Sequence, residues 1–153
     1  MSPADATVAA TDEASYRCWV AEHVRFADLD LLGHVNNKAF LTYAESGRVG
    51  FLTETAMWVP GAARQNVVAR VEIDYRQELH FPAEVRVGVR VLEIGRSSFR
   101  LGLGIFSHKG CVATVTAVMV RIDAQTRAAT ALTEEERARL LPHLASDSTP
   151  GVE

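Results

Sequence analysis

The spacing of apolar and polar positions changes period twice along the chain. From Tyr16 to Phe26 it alternates, with Tyr16, Cys18, Val20, Glu22, Val24 and Phe26 on one side and Arg17, Trp19, Ala21, His23 and Arg25 on the other. A period of two marks a strand with two unequal faces. After a polar run ending at Asn37 the spacing becomes helical, and Phe40, Tyr43, Ala44, Gly47 and Phe51 fall on one face. Asn36 or Asn37 is a natural N-cap. The helix is expected to reach about Ala56, which is long for a globular domain. A glycine inside a helix costs about 1 kcal/mol against alanine. Gly47 and Gly50 therefore imply that another backbone comes close, as when a helix is pressed against a sheet. Met57 to Asn66, with Pro60 and Gly61, reads as a loop.

Period two returns at Val67, with Val67, Ala69, Val71, Ile73 and Tyr75 facing one way. Val85, Val87, Val89 and Val91 repeat it, and Phe99, Leu101, Leu103 and Ile105 form a third run. Val112 to Ile122 is apolar on both faces, which places it centrally in a sheet. Turn signals at Phe81-Pro82-Ala83, Gly95-Arg96-Ser97 and His108-Lys109-Gly110 separate these strands. Short connections predict antiparallel neighbours in a meander. Thr133 with Glu136 forms a capping box, predicting a short helix to about Leu141, ended by Pro142.

The expected fold is α+β: a strand, a long helix, then four strands. Residues 1–15 read as a disordered arm, 16–144 as one domain and 145–153 as a flexible tail. One helix cannot cover both faces of a five-stranded sheet. The second face needs a partner, so a homodimer or homotetramer is expected, with an edge strand pairing across a two-fold axis.

Composition narrows the function classes. The 153 residues are 48% hydrophobic and 23% charged, as in an ordinary globular protein with one sizeable core. A net charge of −3 gives no global field for nucleic acid or an anionic membrane. No stretch approaches the ~20 apolar residues that a membrane span needs. Met1 to Ser15 lacks the basic and apolar segments of a signal peptide. A cytoplasmic location is the resulting expectation. Cys18 and Cys111 lie in strand-like runs without metal spacing and read as free thiols.

The chemistry concentrates between Asp28 and Asn37. Asp28 and Asp30 fall where a strand ends, and Asn36 and Asn37 where the helix begins. Gly33 between them can take a positive φ. This arrangement sets a carboxylate beside unpaired helix N–H groups and their partial positive charge. Such N–H groups can hold an oxyanion, and the carboxylate can attack a carbonyl or activate water. Thioesters are reactive enough for a plain carboxylate to suffice. Asp30 also has a purely structural reading, as the side chain of an Asx turn. His34 either orients substrate or serves the loop. Asp28 reads as a cap or a partner of Arg25.

The run Arg25-Phe26-Ala27-Asp28-Leu29-Asp30-Leu31-Leu32-Gly33-His34-Val35-Asn36-Asn37 is followed by Phe40-Leu41 and Tyr43-Ala44-Glu45-Ser46-Gly47-Arg48. It resembles the signature of hot-dog-fold acyl-CoA thioesterases, nearest to the 4-hydroxybenzoyl-CoA thioesterase-like group. The resemblance spans about Tyr16 to Ala124 and includes Gly95-Arg96-Ser97-Ser98-Phe99. It implies a long central helix wrapped by an antiparallel sheet, and dimers with joined sheets. It implies that Asp30 is the catalytic carboxylate, by direct attack or as general base, and that the Asn37 N–H polarises the thioester carbonyl. It implies no cofactor and no metal. The expected substrate is an acyl-CoA or an acyl-carrier-protein thioester. A non-catalytic acyl-CoA-binding module on the same fold is the competing class; a hydratase would need a His/acid pair, for which His34 and Asp30 are the candidates. Glu45 either pairs with Arg48 or lines the acyl end. Arg96, Ser97 and Ser98 either meet a CoA phosphate or form a solvated turn.

Overall fold

A computed structural model describes residues 2–146. The main elements are α1 (Pro3–Ala10), β1 (Cys18–His23), α2 (Asn37–Glu54), β2 (Arg64–Tyr75), β3 (Glu84–Ile94), β4 (Ser98–Ser107), β5 (Gly110–Asp123) and α3 (Glu134–Leu140). The strands make one antiparallel five-stranded sheet in the order β1-β3-β4-β5-β2. α2 lies against one face. Val85, Val87, Val89 and Val91 of β3 and Leu101, Leu103 and Ile105 of β4 point at Phe40, Tyr43, Ala44 and Phe51 of α2, forming one apolar core.

The two interior glycines of α2 are explained by the sheet, although side chains rather than backbone come close. A Cβ on Gly47 would stand 2.5 Å from Val87 Cγ1, and one on Gly50 would collide with Val20. The helix thus sits deeper on β1 and β3 than any residue with a side chain would allow. Its N-terminus is set by Asn36, whose side chain accepts from the Lys38 N–H at 3.1 Å.

Two expectations of topology change. Only β3, β4 and β5 meander; β2 leaves for the far edge and pairs with β5. Residues 76–83 cross the end of α2 to reach β3, anchored by the Val35 N–H donating to the Leu79 carbonyl at 2.8 Å. β4, not β5, is the middle strand. β5 is apolar on both faces because it is interior, flanked by β4 and β2, and interior position alone is what the pattern reports.

The disordered arm is also corrected. Ser2 caps α1 through a capping box with Asp5. The arm then crosses the outer sheet face, where the Tyr16 hydroxyl donates to the Ala10 carbonyl at 2.6 Å. Tyr16 settles over Gly88 and Gly104, where added Cβ atoms would strike its ring. There it clusters with Trp19, Phe106 and Cys111. Part of the face that was expected to need a partner is covered by the chain's own N-terminal segment. At the other terminus Ala145 is buried and donates to the Val91 carbonyl at 2.8 Å. The rest of the expected tail, residues 147–153, lies outside the described residues.

α3 begins at the expected capping box of Thr133 and Glu136. Glu136 also binds two arginines from the sheet, Arg121 of β5 at 2.6 Å and Arg64 of β2 at 2.6 Å. No helix is long and apolar enough to cross a membrane among the described residues.

Candidate active site

Asp28 closes the base of the loop between β1 and α2. Its Oδ2 accepts the Arg25 N–H at 2.9 Å and the Tyr43 hydroxyl at 2.6 Å, and its carbonyl accepts the Asn36 N–H at 2.8 Å. Tyr43 is fully buried on α2, and burial, then the Asp28 carboxylate, push its phenol well above the usual tyrosine range. Asp28 thereby ties the loop to the helix, as a cap rather than a partner of the Arg25 side chain.

Above that base the chain forms a small hairpin. Leu29 and Val35 make an antiparallel bridge, the Asp30 N–H donates to the His34 carbonyl at 2.9 Å, and Gly33 turns the chain with φ of 82°. Few residues other than glycine adopt that angle without strain. Asp30 Oδ1 accepts the N–H groups of Leu32 at 2.9 Å and His34 at 3.3 Å. The Asx turn of the structural reading is therefore present. Both bonds fall on one oxygen, and Oδ2 takes no hydrogen bond from the described residues.

The hairpin opens on a cavity of about 420 Å³ lined by Asp30, His34, Asn36, Asn37, Phe40 and Tyr75 among others. At the helix tip the cap takes the Lys38 N–H, and the Asn36 carbonyl takes the Ala39 N–H at 2.9 Å. The Asn37 N–H is left without a partner among the described residues. A carboxylate oxygen and an unused helix N–H thus border one cavity, together with the helix macrodipole's positive end. The Tyr75 hydroxyl, from β2, donates to the Asn37 carbonyl at 3.1 Å, and its ring meets Phe40 edge-on at 5.3 Å. His34 Nε2 stands 3.6 Å from Glu78 Oε2, and its ring meets His80 edge-on.

The structure does not bring every expected residue here. Glu45 is exposed on α2, two turns from the tip and outside the cavity lining. Its partner in the ion-pair reading, Arg48, is buried; burial pulls the guanidinium down from the usual arginine range and the Glu45 charge offsets part of that. Arg96 and Ser97 lie in the turn before β4 and Ser98 opens that strand; the Ser97 carbonyl accepts the Arg121 N–H and the Arg96 carbonyl the Leu132 N–H. The cavity is at the opposite end of the sheet, where Tyr75 pairs with Ala113 and Ala113 with Ile105. From Ser98 to Ile105 is about 23 Å of strand, too far for one chain's turn to touch this site.

Tyr75, Arg76 and Glu78 were not anticipated. They follow Ile73 in a strand whose alternation was legible, but the crossing of residues 76–83 over the helix end was not, and that crossing is what delivers them. Among the described residues no group of three or more His, Cys, Asp or Glu side chains is arranged to hold a metal ion. Cys18 is buried, its Sγ donates to Glu54 Oε2 at 2.8 Å, and burial with that carboxylate pushes the thiol up to about 12. It is a protonated structural thiol and no nucleophile.

Comparison with known proteins agrees with this architecture. Residues 24–142 match the model of the thioesterase-like superfamily. The uncharacterized protein YsmA of Bacillus subtilis is 30% identical over 119 residues, covering 77% of this chain and 81% of YsmA. A thioesterase of Thermus thermophilus, solved in complex with coenzyme A and zinc, is 34% identical with a TM-score of 0.75, over 84% of this chain and 95% of that one. A thioesterase-superfamily protein of Jannaschia is 25% identical with a TM-score of 0.79, over 93% and 92%. The sheet curled on a single long helix is the hot-dog fold of these neighbours, and the chain belongs to the thioesterase-like superfamily of thioester hydrolases.

Proposed function

We propose that this protein hydrolyses acyl-CoA thioesters to the free acid and CoA, with Asp30 as the catalytic carboxylate and the backbone N–H of Asn37 as the oxyanion donor. The observation that carries this reading is the division of labour within Asp30. Oδ1 is fixed by two loop N–H groups, so the carboxylate is held in place, while Oδ2 of this cavity-lining residue takes no hydrogen bond from the described residues. The structural and the chemical roles of Asp30 are thus compatible.

Two routes fit this geometry. As general base, Asp30 takes a proton from water as its oxygen bonds to the thioester carbonyl carbon. As nucleophile, Oδ2 bonds to that carbon itself and gives a mixed anhydride that water then splits. In both, the carbonyl oxygen gains negative charge facing the Asn37 N–H, the C–S bond breaks, and the thiolate leaves and is protonated. One oxyanion donor contributes about 10² to 10³ in rate. His34, at the cavity mouth, orients the substrate, and Gly33 supplies the turn that brings Asp30 toward Asn37. Coenzyme A in the Thermus relative supports a CoA thioester as the substrate. β2 is an edge strand with Val68 exposed, which supports a homodimer formed by pairing of that edge with a second copy.

The test is thiol release from a panel of acyl-CoAs by the wild type and by Asp30→Asn. Loss of a positioned base or nucleophile is expected to lower kcat about 10²- to 10⁴-fold. Unchanged turnover in the variant defeats the assignment. Label found in Asp30 after a single turnover in ¹⁸O-water identifies the anhydride route, with water attacking the Asp30 carboxyl carbon.

A further inference from the structure

We propose that Arg76 reads the phosphate carried on the thiol half of the substrate, a proposal that rests on the thioester reading of the Asp30 cavity. A thioester whose thiol arm ends in a phosphate calls for a cation at the far end of that arm, on a path leading out of the Asp30 cavity. The turn at Arg96 lies at the far end of β4 and lines neither this cavity nor a path that borders it.

Arg76 follows β2 directly and borders the Asp30 cavity. It also borders a second cavity of about 420 Å³ on the outer sheet face, whose lining includes Arg90, Arg100, Thr114 and Thr116. Arg76 is therefore common to the two linings, on the proposed path of a thiol arm leaving Asp30. The cross-strand register shows how the outer hollow is made. Arg90, Gly102, Thr116 and Glu72 stand side by side on β3, β4, β5 and β2, with no side chain at Gly102.

The Arg76 guanidinium is held before any ligand arrives. Its Nε and Nη2 both donate to Thr114 Oγ1, at 3.1 and 3.0 Å, and Thr114 is buried. The anchor is a neutral hydroxyl, and among the described residues no carboxylate stands within ion-pair distance of Arg76. Of the two acidic residues in the outer hollow, Glu72 is engaged by Arg70, and Asp74 stands across from the anchor Thr114 without forming an ion pair with Arg76. A planar, pre-positioned fork with its charge unspent is the form in which arginine binds phosphate.

The experiment compares one acyl group, the one hydrolysed fastest in the CoA panel, as its pantetheine, 4′-phosphopantetheine and CoA thioesters. The readout is the kcat/KM preference for each phosphorylated thioester over the pantetheine thioester. Arg76→Gln is expected to shrink that preference about tenfold or more, the range for a hydrogen bond to a charged group. Arg76→Lys, which keeps charge but loses the fork, is expected to fall between. Equal shrinkage for phosphopantetheine and CoA thioesters assigns the contact to the pantetheine phosphate; shrinkage for CoA alone assigns it to the nucleotide phosphates. Equal loss on all three thioesters, an unchanged preference, or the same effect from Arg96→Gln instead overturns the proposal. Calorimetric binding of free CoA against pantetheine to the same variants reads the contact without turnover. CoA binding weakened by Arg76→Gln in a protein that hydrolyses none of the thioesters would refute the hydrolase reading and leave this one standing.

Discussion

Replacing Glu136 by glutamine tests how α3 and the 57–66 loop are held. Glu136 is 4% exposed and accepts from Arg121 Nε, from Arg64 Nε and Nη2, and from the Thr133 N–H. Arg121, also 4% exposed, passes the connection on by donating to the Met57 carbonyl at 2.7 Å and to Asn66 Oδ1 at 3.2 Å. Burial alone would raise the Glu136 carboxyl, but Arg64, the Thr133 N–H and Arg121 outweigh it and hold it down to about 2, against an ordinary 4.5. That depression is linked to about 3 kcal/mol of folding free energy. The glutamine variant keeps the shape but leaves Arg121 buried without its counter-charge, a change that costs about 3–5 kcal/mol. At this chain size the expected fall in Tm is about 6–20 °C. The pH dependence has a fixed sign. A depressed folded-state carboxyl stabilises above the unfolded value near 4.5 and loses its contribution as pH falls toward 2. Urea unfolding of both proteins should therefore show a gap that is full at pH 7 and smaller by about 2 kcal/mol at pH 3. A gap below about 1 kcal/mol at pH 7, the scale of an exposed pair, or one that does not narrow on acidification, refutes the reasoning. Adding Arg121→Met to the variant should recover part of the loss, because it removes the orphaned charge.

Other outcomes follow from single contacts. Tyr75→Phe removes the hydroxyl from the Asn37 carbonyl, and should lower kcat several-fold with little change in Tm, checked by steady-state kinetics and calorimetry; equal kinetics would show that β2 does not steady the helix tip. Gly47→Ala puts a Cβ 2.5 Å from Val87 Cγ1, and the overpacking should cost about 1–3 kcal/mol in urea unfolding. Deleting residues 2–15 removes α1 and the segment leading to Tyr16, and should expose Trp19 and Phe106 on the outer face; light scattering should show a larger assembly than the full chain forms, and an unchanged mass would mean that the arm masks nothing.

Much of this molecule was legible because its signals are local. Asn36 capping α2, the alternation of Val85 to Val91, and the Thr133–Glu136 box each depend on neighbours in sequence. The Asp28–Asn37 run was legible for the same reason, since its turn, bridge and cap lie within ten residues of each other. Strand order was not, because β2 pairs with β5 through the whole intervening sequence, and nothing in residues 76–83 announces that they cross the helix end. The arm escapes a reading of the sequence for a related reason. α1 buries no residue and therefore has no apolar stripe to detect, and its anchor is Tyr16, which also fits the alternation of β1.

The misplaced turn at Arg96–Ser98 shows how strand order governs function as well as fold. A turn and a site that sit at opposite ends of the same strands do not line one cavity, however well the turn's residues suit a phosphate. The same order brings the end of β2 beside the tip of α2, so Tyr75 faces inward onto Phe40 and Asn37 while Arg76, one residue on, reaches Thr114 on the outer face. Alternation along an extended strand is enough to split two neighbours between two faces. On the proposed reading, consecutive residues then serve the two ends of the substrate, Tyr75 steadying the oxyanion donor and Arg76 holding the arm. A one-residue deletion within residues 71–74 should exchange those faces and abolish hydrolysis, while a deletion in the exposed stretch 58–61, at the other end of β2, should leave both contacts in register.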